Sequence, residues 1–224
     1  MSEAEARPHY KRARRETEKA ERRAAILGAA GALLPSVGFE GFSMAVLARK
    51  TGIAKGTLYL YFETREEVLL TLFIEGLEAW CDAMSAALSD GMTDAEFVDH
   101  FQRITLADPN FLTLRARLES VIEHNVSIDC LVAAKRRMRD LIGELAPPVE
   151  RVLRLGEGAG GRLLISLAAL QVGAAQSKLS PAVADLDLPE DVAEFMGIHS
   201  DADVFSETAP MIIDGTRLAS ASSA

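Results

Sequence analysis

Residues 43–62, SMAVLARKTGIAKGTLYLYF, leave a chain few ways to fold. Behind Ser43, the apolar residues Met44, Leu47 and Ala48 recur at helical spacing, and Gly52 then interrupts the pattern. A second short helix is predicted from Lys55 to Phe62, with Leu58 and Phe62 one turn apart on its inner side. Two short helices across a tight glycine-containing turn make a helix-turn-helix, whose second helix can enter a DNA major groove. The outer side of that helix carries Lys55, Thr57, Tyr59 and Tyr61, all hydrogen-bond donors to phosphates or base edges.

Charge is placed to match. The formal net charge is −9, which argues against a chain coated in nucleic acid. Residues 1–65 nevertheless hold 12 Lys/Arg against 7 Asp/Glu, a balance of +5, while residues 66–224 hold 12 against 26, a balance of −14. A basic N-terminal module on an acidic body suits a protein that presents one end to phosphates; an ordinary solvated surface with a charged tail explains the same numbers. Cys81 and Cys130 have neither the number nor the spacing of a disulfide framework or a zinc site, so buried free thiols in a reducing cytoplasm are expected. The run AAILGAAGALL after Arg22-Arg23 imitates an export signal, but it follows a charged leader and continues into the helix-turn-helix, so it reads as helix 1. The run from Leu163, LLISLAALQVGAA, is too short and interrupted to span a bilayer. A cytoplasmic protein with no membrane partner is expected.

The pattern along the chain is all-α. Residues 1–20 form a charged arm, with pairs such as Arg12–Glu16 and Glu18–Arg22 four apart, that can extend helix 1 or fray in solvent. Helix 1 runs to about Ser36 on a stripe of Ile26, Ala30, Leu33, Leu34 and Val37, and Phe39 and Phe42 plug a small three-helix core. Thr64 and Glu67 form a capping box for helix 4, as Thr93 and Glu96 do for the helix ending at Asp108-Pro109. Helices are predicted over 111–124 and 128–145, with Pro147-Pro148 ending or kinking the second. Further helices are predicted from Arg162 to Ser177, from Pro189 to Met196 and from Ala202 to Ala219. The domain reading is therefore a 1–20 arm, a 21–66 DNA-binding domain with its helix-turn-helix at 43–62, a 67–219 helical domain, and a disordered 220–224 tail.

The stretch from Arg23 to Leu72 carries a specific set of residues. It comprises the Ile26, Ala30, Leu33 frame, the turn Gly38-Phe39, Ser43, Leu47-Ala48, and the turn Thr51-Gly52-Ile53. Gly56-Thr57-Leu58-Tyr59, Tyr61-Phe62 and Glu66 complete it. Taken together, these resemble the DNA-binding domain of the TetR family of bacterial repressors; the rest of the chain resembles the family only in length and helical character. One departure is Ala54, where the family often has Ser or Thr, so the recognition helix lacks a side-chain N-cap. The resemblance implies an all-α fold, an N-terminal three-helix helix-turn-helix DNA-binding domain plus a C-terminal helical ligand-binding and dimerisation domain. It implies Ser43, Lys55, Gly56, Thr57, Tyr59, Tyr61 and Thr64 as operator contacts, with Arg65 adding a phosphate. It further implies a homodimer on a palindromic double-stranded operator and an apolar small-molecule effector among the C-terminal helices that moves helix 4. Trp80, Met84, Phe101, Leu118, Ile122, Cys130 and Met138 are the pocket candidates, with plain core as the competing reading of each. The small residues Ala168, Ala169, Gly173 and Ala174 let another helix approach closely, either within the same subunit or, as the resemblance implies, in a four-helix dimer interface made with the final helix. The alternative is a constitutive DNA-binding protein whose C-terminal domain only dimerises.

Other patterns carry less. Gly156, Gly158 and Gly161 match GxGxxG, but no strand precedes them and the next distant acid, Asp185, lies on a proline-containing loop, so an interhelical hinge is expected. His199, Asp201 and Asp203 alternate as ligands would only on an extended chain, and N-capping by Ser200 or Asp201 explains them more simply. His100 and His124 have no ligand partner at metal spacing. With no GxSxG, HExxH or P-loop, no catalytic residue, metal or cofactor is expected.

Overall fold

A computed structural model describes the backbone of residues 3–177, 188–194 and 203–222, and side chains from residue 15 onward within these ranges, except that of Ser177. Among the described residues every regular element is helical. The chain divides into two units, one of Met1–Ile74 with Arg117–Ala134 and one of Glu75–Ala116 with Lys135–Ala224.

In the first unit, α1 (Glu3–Gly41) bends at Gly38, whose φ is 70°. By length and composition residues 15–41 would also suit a membrane span. Ile26, Leu27, Ala30, Leu33 and Leu34 are instead buried in the unit's own core, together with Phe39 and Phe42. The charged arm is helical in its backbone from Glu3. α2 (Met44–Thr51) starts at Ser43, whose Oγ accepts from the Val46 N–H, and ends at Gly52. Gly52 has φ 67°, a left-handed conformation that costs a residue with a Cβ about 1–2 kcal/mol, and this fixes the tight turn. α3 (Lys55–Leu58) is shorter than the predicted 55–62 helix. Beyond Leu58 the backbone tightens: Leu60 N–H donates to Thr57 O and Tyr61 N–H to Leu58 O, i→i−3 bonds of 3₁₀ type. α4 (Arg65–Ala87) supplies residues to both units. Its cap is a variant of the predicted box: Thr64 Oγ1 accepts from Glu67 N–H, but the Glu67 carboxylate accepts from Glu63 N–H. The segment 118–125, predicted as ordinary helix, is a π turn at Leu118–Ile122 followed by a 3₁₀ turn at Glu123–Asn125.

In the second unit, α5 (Asp94–Ala107) has both halves of the Thr93–Glu96 capping box, and these bonds hold the exposed Glu96 carboxyl below its usual range. α6 (Pro109–Arg117) follows directly. α7 (Ile128–Leu153), which belongs to this unit from Lys135 onward, runs through Pro147-Pro148, so of the predicted end or kink the end near Leu145 is corrected. Proline removes only its own N–H donor, and the two carbonyls left without it belong to Gly143 and Glu144, both exposed to water. Meanwhile Leu141, Leu145, Val149 and Leu153 form a buried stripe at four-residue spacing that holds the helix past the prolines.

α8 (Ala159–Ser177) takes in Gly160 and Gly161, and the glycine-rich segment before it is a packed joint rather than the expected hinge. The Gly156 N–H donates to Ser220 Oγ and the Gly160 N–H to Glu150 Oε1. A Cβ on Gly160 would lie 2.5 Å from the Ala146 carbonyl oxygen, so glycine is needed where α8 crosses α7. A short helical turn occupies 190–194. The last helix, α9 (Val204–Ala221), packs against α8 and α5. Its N-cap is Asp203, which accepts from Ser206 N–H, in place of the predicted Ser200 or Asp201. The expected disordered 220–224 tail is corrected for 220–222, because Ser220 is held by Gly156 and the helix reaches Ala221. Asp185, Met196, His199, Ser200 and Asp201 lie outside the described residues.

Candidate nucleic-acid interface

Leu47, Leu58 and Phe62 are buried to 1% exposure or less, and this anchoring sets which side of α3 is outward. The outward side presents Lys55 and Gly56, exposed, with Tyr59 at 44% exposure and Thr57 half-buried. The Lys55 ammonium sits 5.8 Å from the centre of the Tyr59 ring, so cation and phenol share one patch. Tyr61 is half-buried. Ser43 and Thr64 accept backbone N–H groups as helix caps, which leaves each hydroxyl hydrogen available to a further acceptor. Ala54 has φ −58° and ψ 137° with no side-chain cap bond, as the sequence implied.

Arg65 differs from its expected role. Its Nε pairs with Glu66 at 2.9 Å, its Nη1 donates to the Phe42 carbonyl at 3.0 Å, and its guanidinium lies 5.1 Å from the Phe39 ring centre. These bonds tie α4 to the end of α1, so Arg65 braces the module whether or not it also meets a phosphate. Two cations that the sequence reading passed over, Arg49 and Lys50, are exposed in the last turn of α2. Leu60 was also missed and is 74% exposed between the two tyrosines. Its apolar character hid it, although ordinary helical spacing from the inward Leu58 and Phe62 already places it on the outer side.

The predicted pocket residues fall into two sets. In the first unit Leu118 and Ile122 are buried, and Cys130 is half-buried with its thiol pushed up by desolvation and by the nearby Glu67 carboxylate. In the second, Trp80, Met84 and Phe101 are buried and Met138 is half-buried. Trp80 meets Phe101 edge-on at 5.1 Å and stacks on Phe111 at 6.3 Å, while Phe101 stacks on Phe205 at 5.5 Å. The Trp80 Nε1–H donates to Thr105 Oγ1 at 2.9 Å, and that hydroxyl donates to Phe101 O at 2.7 Å, so this buried polar pair is fully satisfied. Thr105, Phe111 and Phe205 belong to this cluster and were not foreseen; Thr105 had a signal, lying four residues after Phe101 on one helix face. Gln171 on α8 is buried with its Oε1 facing no donor among the described residues.

Ala174 on α8 is buried, whereas Ala169 and Gly173 are exposed on one face with Ile165, itself 59% exposed. On α9, packed alongside, Met211 and Leu218 are 70% and 71% exposed and Gly215 is open to solvent. Two adjacent helices of this unit thus carry apolar and small residues outward.

Comparison with known proteins places these features. Residues 26–72 match the family described as bacterial regulatory proteins, tetR family, and residues 62–201 match the tetracyclin repressor-like C-terminal domain. The Fatty acid metabolism regulator protein of Bacillus subtilis (strain 168) is 30% identical over 71 residues, 32% of this chain and 37% of that relative's length. Among solved structures, a possible TetR family transcriptional regulator from Streptomyces coelicolor A3(2) is similar with a TM-score of 0.57 at 19% identity, covering 88% of this chain and 99% of the other. RolR in complex with resorcinol is similar with a TM-score of 0.55 at 15% identity, covering 92% and 93%. At such identities the structures speak to the fold alone.

Proposed function

This chain belongs to the TetR family of bacterial transcriptional regulators, and from that membership we propose that it is a homodimeric, ligand-responsive repressor reading a palindromic operator. The observation that carries the reading is the anchored α3, which turns Lys55, Gly56, Thr57 and Tyr59 outward. Lys55 takes a phosphate, the absence of a Cβ at Gly56 lets the backbone approach closely, and Thr57 and Tyr59 donate to base edges or phosphates. Tyr61, Ser43 and Thr64 add hydroxyl donors at the rim. Arg49 and Lys50 add cations, and Leu60 offers an apolar contact to a thymine methyl. A palindrome follows from a two-fold dimer, which spaces two recognition helices about one DNA turn apart.

The outward residues of α8 and α9 (Ile165, Ala169, Gly173, Met211, Gly215 and Leu218) are the dimer surface in this reading, in line with the small-residue run seen in the sequence. The effector is an apolar small molecule in this reading, a class in line with the Bacillus relative's being named for fatty acid metabolism. Such a ligand acts by favouring the DNA-incompetent one of two states, with α4 running from the DNA-binding unit into the other as the element that carries the change. The ring contacts that already fill the space around Trp80 and Phe101 favour the second reading, a constitutive binder whose C-terminal helices only dimerise.

One titration separates them. DNA from upstream of the gene is shifted by the protein at about 100 mM salt, and an extract of apolar metabolites is then added. Release supports the ligand-responsive reading, and retention the constitutive one. Tyr59→Phe should weaken binding about thirtyfold, one hydrogen bond of about 1 kcal/mol in each half-site of the dimer. Lys55→Ala should lower affinity and reduce the slope of log affinity against log salt by about 2, because the dimer loses one phosphate contact in each half-site. If both substitutions are silent, the docking face is wrong.

A further inference from the structure

Among the described residues, Arg154 is the one residue other than glycine with a left-handed backbone, at φ 56°. The cause is local. α7 closes with the Leu155 N–H donating to Glu150 O and the Arg154 N–H to Arg151 O, the paired bonds of a Schellman ending. That ending places one residue in the left-handed region, and glycine is the usual occupant because any Cβ is strained there. This chain keeps an arginine instead. The helix C-terminus does not require it: the Arg217 guanidinium already donates to Leu153 O, and Arg151 lies in the last turn.

What Arg154 gains is a place in a cleft of about 520 Å³ beside the α4–α5 turn. The cleft is lined by Arg151, Arg154 and Arg217 with Asp90, Thr93 and Asp94, in a part of the chain where acidic residues outnumber basic ones about two to one. The three cations are not equivalent. Arg217 is saturated, with both Asp94 oxygens at 2.9 Å and Asp214 at 2.6 Å. Arg151 is loosely paired with Asp90 at 3.7 Å, both largely exposed. The Arg154 side chain has no partner among the described residues. One uncommitted guanidinium and one weakly committed neighbour, on a backbone pinned by Arg217, form a fork for an oxyanion. A strained residue where glycine would be easier points to a contact made by its side chain.

We propose that this cleft binds a small metabolite through a phosphate or carboxylate group, with Arg154 as its main contact and Arg151 as the second. The site is separate from the aromatic cluster around Trp80 and from the DNA-facing residues, and it does not depend on the operator reading. The test is thermal unfolding of the full chain with pyrophosphate or citrate, each against sodium chloride at matched ionic strength. Wild type should gain about 2–4 °C with at least one of the two, and which one responds distinguishes phosphate from carboxylate recognition. Arg154→Gly should lose that gain while melting about 2–4 °C higher than wild type without ligand, since glycine relieves the left-handed strain. Arg151→Ala should keep a reduced gain, and Lys55→Ala, on the DNA-facing helix, should keep it in full. The proposal is overturned if neither anion stabilises beyond salt, if Arg154→Gly keeps the full gain, or if Lys55→Ala abolishes it. A lower melting temperature for ligand-free Arg154→Gly would likewise remove the strain argument on which it stands.

Discussion

Ala54→Ser should stiffen the recognition helix, by an amount the local geometry sets. Ala54 already has the extended backbone of an N-cap, with φ −58° and ψ 137°, and its carbonyl accepts from Thr57 N–H at 2.8 Å and Leu58 N–H at 3.3 Å. Only the side-chain acceptor is missing, and exposed Gly56, at the second helical position, has an N–H within the reach of a serine hydroxyl there. Supplying a cap oxygen in place of alanine is worth about 1 kcal/mol, or roughly fivefold in a local opening equilibrium. Native-state hydrogen exchange read by mass spectrometry on the free protein is the appropriate assay, because it reports the 55–62 backbone separately from the rest. Amides of residues 57–62 should exchange about fivefold more slowly in Ala54→Ser, with α8 amides unchanged. Operator affinity should rise by no more than the same factor, since pre-ordering the helix can return only what ordering it consumed. Unchanged or faster exchange at 57–62 would show that the helix end is fixed by burial of Leu58 and Phe62 alone, and the capping argument would fail.

Thr105→Val should cost about 1–3 kcal/mol, because the buried Trp80 indole N–H loses its acceptor; urea unfolding followed by the fluorescence of this single tryptophan measures it, and Thr105→Ser should restore most of the loss. Burial pushes the Cys81 thiol from 9.0 up to about 12, with the carboxylates of Asp82, Glu144 and Glu78 adding to the shift. Native Cys81 should therefore react with iodoacetamide at pH 8 at least tenfold more slowly than the urea-unfolded chain. Because its folded value is raised, the thiol's contribution to stability is complete below pH 9 and falls away as pH climbs toward about 12; Cys81→Ala should flatten that alkaline decline in denaturation midpoints. Gln171→Met, which removes a buried acceptor without a donor, should stabilise the protein by about 1 kcal/mol in the same urea assay, and a loss would show that the amide is satisfied after all.

Local rules act over a few residues, and where they governed, the sequence was sufficient. Ser43, Gly52, Thr93 with Glu96, and the inward pair Leu58 and Phe62 each dictate a cap, a turn or a face through neighbours within four positions. The helix-turn-helix, its outward residues and the missing cap at Ala54 were therefore legible, and so was the all-α character of the chain. Reading failed where a distant partner decided the outcome. Pro147-Pro148 did not stop α7, because a buried stripe from Leu141 to Leu153 outweighed two lost hydrogen bonds at the exposed residues Gly143 and Glu144. Ser220 stayed helical through its bond to Gly156, 64 residues away in sequence. Arg65 has a bracing role that the sequence did not show, because the Phe42 carbonyl and the Phe39 ring come to it from α1 and the turn that follows.

The sequence by itself determined a helical chain with a helix-turn-helix DNA-binding domain, since helix periodicity, capping and glycine turns are encoded between near neighbours. Only the tertiary structure decided which cations are spent and which are free. Arg65 and Arg217 are consumed by carbonyls, rings and carboxylates brought from other elements, while Lys55 and Arg154 are left facing outward. A charge acts according to what surrounds it, and those surroundings exist only once the chain has folded.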